Sequence, residues 1–211
     1  MTTRTNTTIT PAALAPRKVG WRGWAGLAVL MLPALLVSID NTVLTFALPQ
    51  IALDLEPSAT EQLWIVDAYP IVLAALLVTM GTLGDRFGRR RLLLIGAAGF
   101  AVVSVLAAFT PTAALLIAAR ALLGVFGAML MPSTMSLLRT LFTDRDQRRL
   151  AVAIWAAAFS AGAALGPIVG GFLLEHFAWG SVFLMAVPVL LPLFLLAPFF
   201  LPESRDPNPG R

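Results

Sequence analysis

Six long apolar stretches alternate with short polar ones along this chain, at about 23–53, 62–84, 92–110, 113–138, 149–175 and 179–201. Each is near the roughly 20 apolar residues that a helix needs to cross a bilayer, so the pattern predicts an all-α integral membrane protein with six transmembrane helices. Residues 1–22 form a polar start without apolar periodicity until its end and predict a cytoplasmic tail. Residues 202–211 predict a second cytoplasmic segment. The first apolar run is far longer than the roughly 7 to 15 residue core of a cleaved signal peptide, and no small-residue cleavage site follows it, so it reads as a true span.

The polar positions sort by loop. With a cytoplasmic N-terminus, Arg4, Arg17, Lys18 and Arg22 lie inside, as do Arg86, Arg89, Arg90 and Arg91, then Arg139, Arg145, Arg148 and Arg149, then Arg205 and Arg211. The outer loops hold no lysine or arginine and carry Asp54, Glu56, Glu61 and Glu175. Basic residues in short loops stay on the cytoplasmic side, so six spans leave both termini there. Trp21 and Trp24 fall where aromatic side chains anchor a span at the membrane surface.

Composition narrows the function classes. Hydrophobic residues make up 58% of the chain and charged residues 12%, with mean hydropathy +0.85, against roughly 25% charged residues in soluble domains. A sequence pI near 11.0 reports topology and contact with membrane lipids, and not nucleic acid, because the basic residues sit between apolar runs or at the ends. With no cysteine and a single histidine, disulfide, thiolate and metal chemistry fall away. His176 at an outer helix end has no serine-based constellation to pair with it, so the chain does not read as an enzyme.

Three ionisable residues remain at membrane depth: Asp40 past the middle of the first span, Asp67 near the outer end of the second and Arg120 in the fourth. Each costs at least about 2.5–3.5 kcal/mol at a helix centre, so such residues face a partner or a cavity. Their depths are similar, so Arg120 can pair with Asp40 or with Asp67, leaving the other acid free. An unpaired carboxyl in a low-dielectric cavity favours its neutral form and can exchange a proton or meet a cation. A structural Asp–Arg pair that locks helices together is the plainer role for Asp40. Trp64 and Tyr69 flank Asp67, and their rings can hold an aromatic cation; for Trp64, anchoring at the interface is the simpler role.

Glycine marks two further places. Gly81 to Arg91 packs five charges into a tight turn between two spans. Gly162, Gly166 and Gly170 recur every four residues and clear one helix face for close approach, and Pro167 removes one backbone bond, which together imply a hinge or sliding seam. Other prolines, including Pro33, Pro49, Pro70 and Pro132, predict bent helices.

These residues together resemble the major facilitator superfamily, in its fourteen-span drug:proton antiporter branch. Gly81, Leu83, Asp85, Arg86, Gly88, Arg89 and Arg90 match the superfamily's loop signature between spans two and three. Arg120 with Gly124 and Gly127 is similar to the span-four signature of proton-coupled members, with Leu123 where a glutamine is common. Gly162, Gly166, Pro167, Gly170 and Gly171 fit the antiporter signature of span five. Asp40, Thr42, Ala47, Leu48 and Pro49 resemble the span-one pattern, with Thr45 in place of a common asparagine. Trp64 to Tyr69 is similar to pumps that export quaternary ammonium compounds, dyes and fluoroquinolones.

The resemblance implies the N-terminal bundle of a major facilitator fold, built as two inverted three-helix repeats, in the bacterial cytoplasmic membrane. It implies proton-coupled export of small amphipathic cations, driven by the proton gradient without a cofactor. Asp40 and Arg120 would serve proton coupling, and Asp67, Trp64 and Tyr69 substrate binding. The partner would be a C-terminal half in the same or another chain. A metabolite or lipid exporter, or a non-transporting six-span protein, are the alternatives.

Overall fold

The computed structural model describes residues 19–203; residues 1–18 of the expected tail, with Arg4, Arg17 and Lys18, and the segment holding Arg205 and Arg211 lie outside them, while Trp21 and Arg22 from the end of that tail belong to the first helix. The helices are α1 (Trp21–Leu55), α2 (Ala59–Phe87), α3 (Arg89–Ala108), α4 (Ala113–Leu141), α5 (Arg145–His176), α6 (Ser181–Leu184) and α7 (Ala186–Phe200). No strand occurs among the described residues. The first five helices, and α6 with α7 together, are each long and apolar enough to cross a membrane.

Local chemistry sets the helix ends. Ser58 and Glu61 form a reciprocal capping box at the start of α2, while Thr112 caps α4 and Asp144 caps α5 by accepting from backbone N–H groups three residues on. The α2–α3 turn passes through Gly88 at φ 109°, a conformation that side-chain-bearing residues rarely adopt. The last span breaks at Met185 because Pro188 has no N–H to offer the carbonyl four residues back, at Leu184. Pro33, Pro49, Pro70, Pro132 and Pro167 all lie inside continuous helices.

Helix packing carries an internal symmetry. α1 packs extensively on α5, and α4 on α2; α3 packs on α4, and α6 with α7 on α1. Exchanging the first three spans for the last three turns each of these pairs into the other, and neighbouring spans point in opposite directions, as two inverted three-helix repeats require. Bilayer lipid is as apolar as leucine, so these seams form through close van der Waals fit at small residues and not through hydrophobic burial.

Candidate functional site

The buried centre of the bundle is an ion pair. Asp40 on α1 is 5% exposed and Arg120 on α4 is 1% exposed. Arg120 donates through Nη1 to Asp40 Oδ2 at 2.6 Å and through Nε to the carbonyl oxygen of Ile65 on α2 at 3.1 Å. Its guanidinium carbon also sits 4.5 Å from the centre of the Tyr69 ring, which meets Phe100 of α3 edge-on at 6.2 Å. One cation is thus gripped by a carboxylate, a carbonyl and an aromatic face, the combination that makes a buried charge tolerable. The Tyr69 hydroxyl is buried and has no hydrogen-bond partner.

Glycine brings the partners this close. A Cβ on Gly124, one turn along α4 from Arg120, would lie 2.7 Å from the Tyr69 carbonyl oxygen, and one on Gly127 would lie 3.2 Å from the Tyr69 hydroxyl. The stripe of Arg120, Gly124 and Gly127 therefore forms a single contact surface for α2.

Asp67 stands elsewhere. It is exposed, as is Trp64 at 49%, whereas Tyr69 is fully buried. Trp64 and Asp67, three residues apart, share a helix side, but Asp67 and Tyr69, two apart, do not face each other. The Tyr69 ring expected to receive a substrate cation receives Arg120 in this structure, and the pairing left open between Asp40 and Asp67 falls to Asp40.

Beside the ion pair an open cavity of about 680 Å³ runs between α1, α2, α4 and α5. Asn41, the residue after Asp40, lines it, with Pro70 and Leu77 of α2, Met131 and Met135 of α4, and Trp155, Phe159 and Ser160 of α5. Trp155 and Phe159 stack at 6.3 Å, and the buried Trp155 Nε1–H has no acceptor. Asp67 and Trp64 do not line this groove. Sequence reasoning missed its walls, although Met131 with Met135 and Trp155 with Phe159 are pairs four apart, the spacing that puts two side chains on one helix face.

The repeated glycines of α5 meet α1. A Cβ on Gly162 would lie 2.8 Å from Ser38 Cβ, one on Gly166 would lie 2.8 Å from Thr42 Cβ, and one on Gly170 would lie 2.9 Å from Val43 Cγ2. Gly171 faces open space. Ser38 Oγ donates to the Phe159 carbonyl at 2.5 Å, tying α1 to the groove wall.

The charged turn after α2 is largely paired. Asp85, at the unfavourable end of α2, bonds to Arg89, at the unfavourable start of α3, so each charge offsets the other's clash with its helix dipole. Gly84 makes room for Arg89, whose Cδ would lie 3.0 Å from a Cβ there, and Gly81 approaches Pro132 of α4. Leu83 is half-buried, and Arg86 lies over the Phe87 ring at 5.8 Å. Arg90 donates from Nη1 to the Leu201 carbonyl at 3.0 Å and from its backbone N–H to Glu203 Oε1 at 3.2 Å; the Nε atoms of Arg90 and Arg91 each lie 3.8 Å from Glu203 Oε2. The turn thereby caps the end of α7. Glu203, more than a hundred residues downstream, gave no local signal of this role.

Residues 30–211 match the family described as Major Facilitator Superfamily. The chain is 74% identical to the multidrug efflux pump LfrA of Mycolicibacterium smegmatis, over 90% of this chain and 38% of that protein. It is 44% identical to the methyl viologen resistance protein SmvA of Salmonella typhimurium, over 87% of this chain and 37% of the relative. It is 38% identical to the tetracenomycin C resistance and export protein of Streptomyces glaucescens, over 87% of this chain and 34% of the relative. The chain thus spans well under half the length of these relatives.

Proposed function

The chain belongs to the major facilitator superfamily, and from that premise we propose that it is the N-terminal half of a proton-coupled exporter of amphipathic cationic drugs. The observation that carries this reading is the buried Asp40–Arg120 pair, set one residue from Asn41 in the wall of an open apolar groove. A second half would cover that groove, and alternating access would come from rocking the two halves about it. Both termini of this half would lie in the cytoplasm, in a bacterial cell membrane.

The pair supplies a two-state element. With Asp40 ionised, α1 is bonded to α4, and through Arg120 to α2. Protonation removes the carboxylate charge and leaves Arg120 held by the Ile65 carbonyl and the Tyr69 ring alone. α1 is then freer to move along the glycine face of α5, which widens or narrows the groove. The proton gradient is the energy source; in a one-for-one exchange of a proton for a monovalent cation no net charge crosses, so the potential term of about 2.3 kcal/mol per charge per 100 mV cancels and the pH difference supplies the drive. Asp67 and Trp64, exposed on one side of α2 near its outer end, would meet cations as they leave.

The placement of Asp67 outside the groove favours a second reading, an exporter of an uncharged metabolite or lipid with the same mechanics. Uncoupler-sensitive efflux of ethidium from cells carrying the complete transporter tests both. Asp40→Asn should abolish efflux while the protein remains in the membrane; undiminished efflux would refute the coupling role. Asp67→Asn should weaken efflux of the ethidium cation, whereas unchanged efflux would shift the choice to the second reading.

A further inference from the structure

Among the described residues that line the open groove, none is ionisable. Its polar side chains are Asn41 of α1 and Ser160 of α5, and both are exposed. Each has turned a donor back onto its own helix. Asn41 Nδ2–H donates to the Val37 carbonyl at 2.9 Å, and the Ser160 hydroxyl donates to the Ala156 carbonyl at 3.2 Å. A carbonyl oxygen only accepts, so the nitrogen of the Asn41 amide must be the atom that faces Val37. Asn41 Oδ1 is left with no partner among the described residues, and Ser160 Oγ keeps its lone pairs. The groove therefore offers a guest acceptor oxygens beside the aromatic rings of Trp155 and Phe159, whose planes differ by 22°. Gly162 lies against Ser38 and Gly166 against Thr42, which fixes the register of α5 on α1. In that register Ser160 sits about 7 Å closer than Asn41 to the end where both helices begin.

We infer that Asn41 is a specificity-determining residue, which selects among cationic cargoes the aromatic ones that carry N–H donors. The ring system lies against Trp155 and Phe159, an N–H donates to Asn41 Oδ1, and Ser160 Oγ is the second acceptor. This rests on the cation-exporter reading above. Two features choose the class. Aromatic faces attract a delocalised cation where the groove has no acid to do so. An N–H on that cation then makes a charge-assisted hydrogen bond, which is stronger than one between neutral groups. A fully methylated cation fills the same apolar space but leaves Asn41 Oδ1 unpaired once the second half has excluded water, and a buried acceptor without a partner costs affinity. Asn41 thus ranks cargoes of equal charge and shape by their donors.

The test is binding of thionin and methylene blue to the complete transporter in detergent, followed by fluorescence anisotropy. The two dyes share one phenothiazinium ring system and one positive charge. Thionin carries amino groups, whereas methylene blue carries dimethylamino groups and no N–H. Asn41→Leu should weaken thionin binding about tenfold and methylene blue binding far less, since a hydrogen bond involving a charged group is worth at least about that factor. The readout is the ratio of the two affinities, so damage to the neighbouring Asp40–Arg120 pair, which acts on both dyes, cancels. Asn41→Ser keeps an acceptor, because its hydroxyl can donate to the Val37 carbonyl as Ser160 does to Ala156, and should restore part of the ratio. Ser160→Ala should shift the ratio in the same direction as Asn41→Leu, by less. A ratio unchanged by Asn41→Leu, whether both dyes weaken together or neither does, would overturn the proposal and leave the exporter reading standing. A parent that binds neither dye would overturn the exporter reading and the proposal with it.

Discussion

Two seams related by the internal symmetry are built from the same material and do different things. In one, α4 presses Gly124 and Gly127 against α2; in the other, α5 presses Gly162, Gly166 and Gly170 against α1. The first carries a charge: Arg120 reaches across it to the Ile65 carbonyl and the Tyr69 ring. The second carries hydroxyls, with Ser38 bonded to the Phe159 carbonyl and Thr42 turned back on its own helix. The closest approach at Gly124 is to backbone, the Tyr69 carbonyl, while at Gly166 it is to the Thr42 side chain. Close helix approach by itself therefore does not decide whether a seam slides. Both seams carry a side chain bonded to backbone, a charged guanidinium in one and a neutral hydroxyl in the other, and on the proposed mechanism the neutral contact is the one that would yield.

The largest effect should come from breaking the charged seam. Arg120→Leu leaves Asp40 buried without a partner, and losing one member of a buried pair costs about 3–5 kcal/mol. The variant should melt well below the parent in detergent. Asp40→Asn with Arg120→Leu removes both charges, and should recover much of that loss without recovering efflux. If the double variant melts as low as Arg120→Leu alone, the loss comes from the Arg120 contacts to Ile65 and Tyr69 and not from an unpaired Asp40.

A smaller effect should separate the seams by their glycines. Overpacking a fitted contact costs about 1–3 kcal/mol, and the upper part of that range belongs where the obstacle cannot rotate away. Gly124→Ala meets backbone and should be the more damaging substitution. Gly166→Ala meets Thr42, so Thr42→Ala, which removes the nearer Oγ and keeps the Cβ, should rescue it in part, and no neighbouring side-chain truncation should remove the backbone contact that Gly124→Ala meets. Thermal stability in detergent reads both. Equal damage with no rescue by Thr42→Ala would mean that the α1–α5 seam is as rigid as its counterpart.

Much of this contrast was legible in the sequence, and the limits have physical causes. The hydrophobic runs were long enough that only membrane helices satisfy their backbone groups, so the all-α fold followed from length and composition. Gly162, Gly166 and Gly170 announced a face by their spacing, and Asp40 and Arg120 announced partners by their cost. Which acid Arg120 takes depends on the azimuth of three helices, and the chain does not print that. Tyr69 was misgrouped with Asp67 because nearness in sequence outweighed the rotation between positions two apart on a helix. Glu203 escaped because its role is a contact between segments distant in the chain.

The smallest effect probes the α1–α5 seam directly. Ser38→Ala removes the hydroxyl that donates to the Phe159 carbonyl, and side-chain hydrogen bonds between membrane helices contribute on average about 0.6 kcal/mol. Stability should change by about that amount, within reach of careful melting curves. Efflux is the sharper readout, since a bond that must break and re-form each time α1 moves on α5 sets a rate more than a stability. Altered turnover with nearly unchanged melting would make Ser38 a latch on the moving seam. Unchanged turnover would place the motion in rigid rotation of the whole half, with α1 and α5 travelling together and the glycine face serving as a fixed joint.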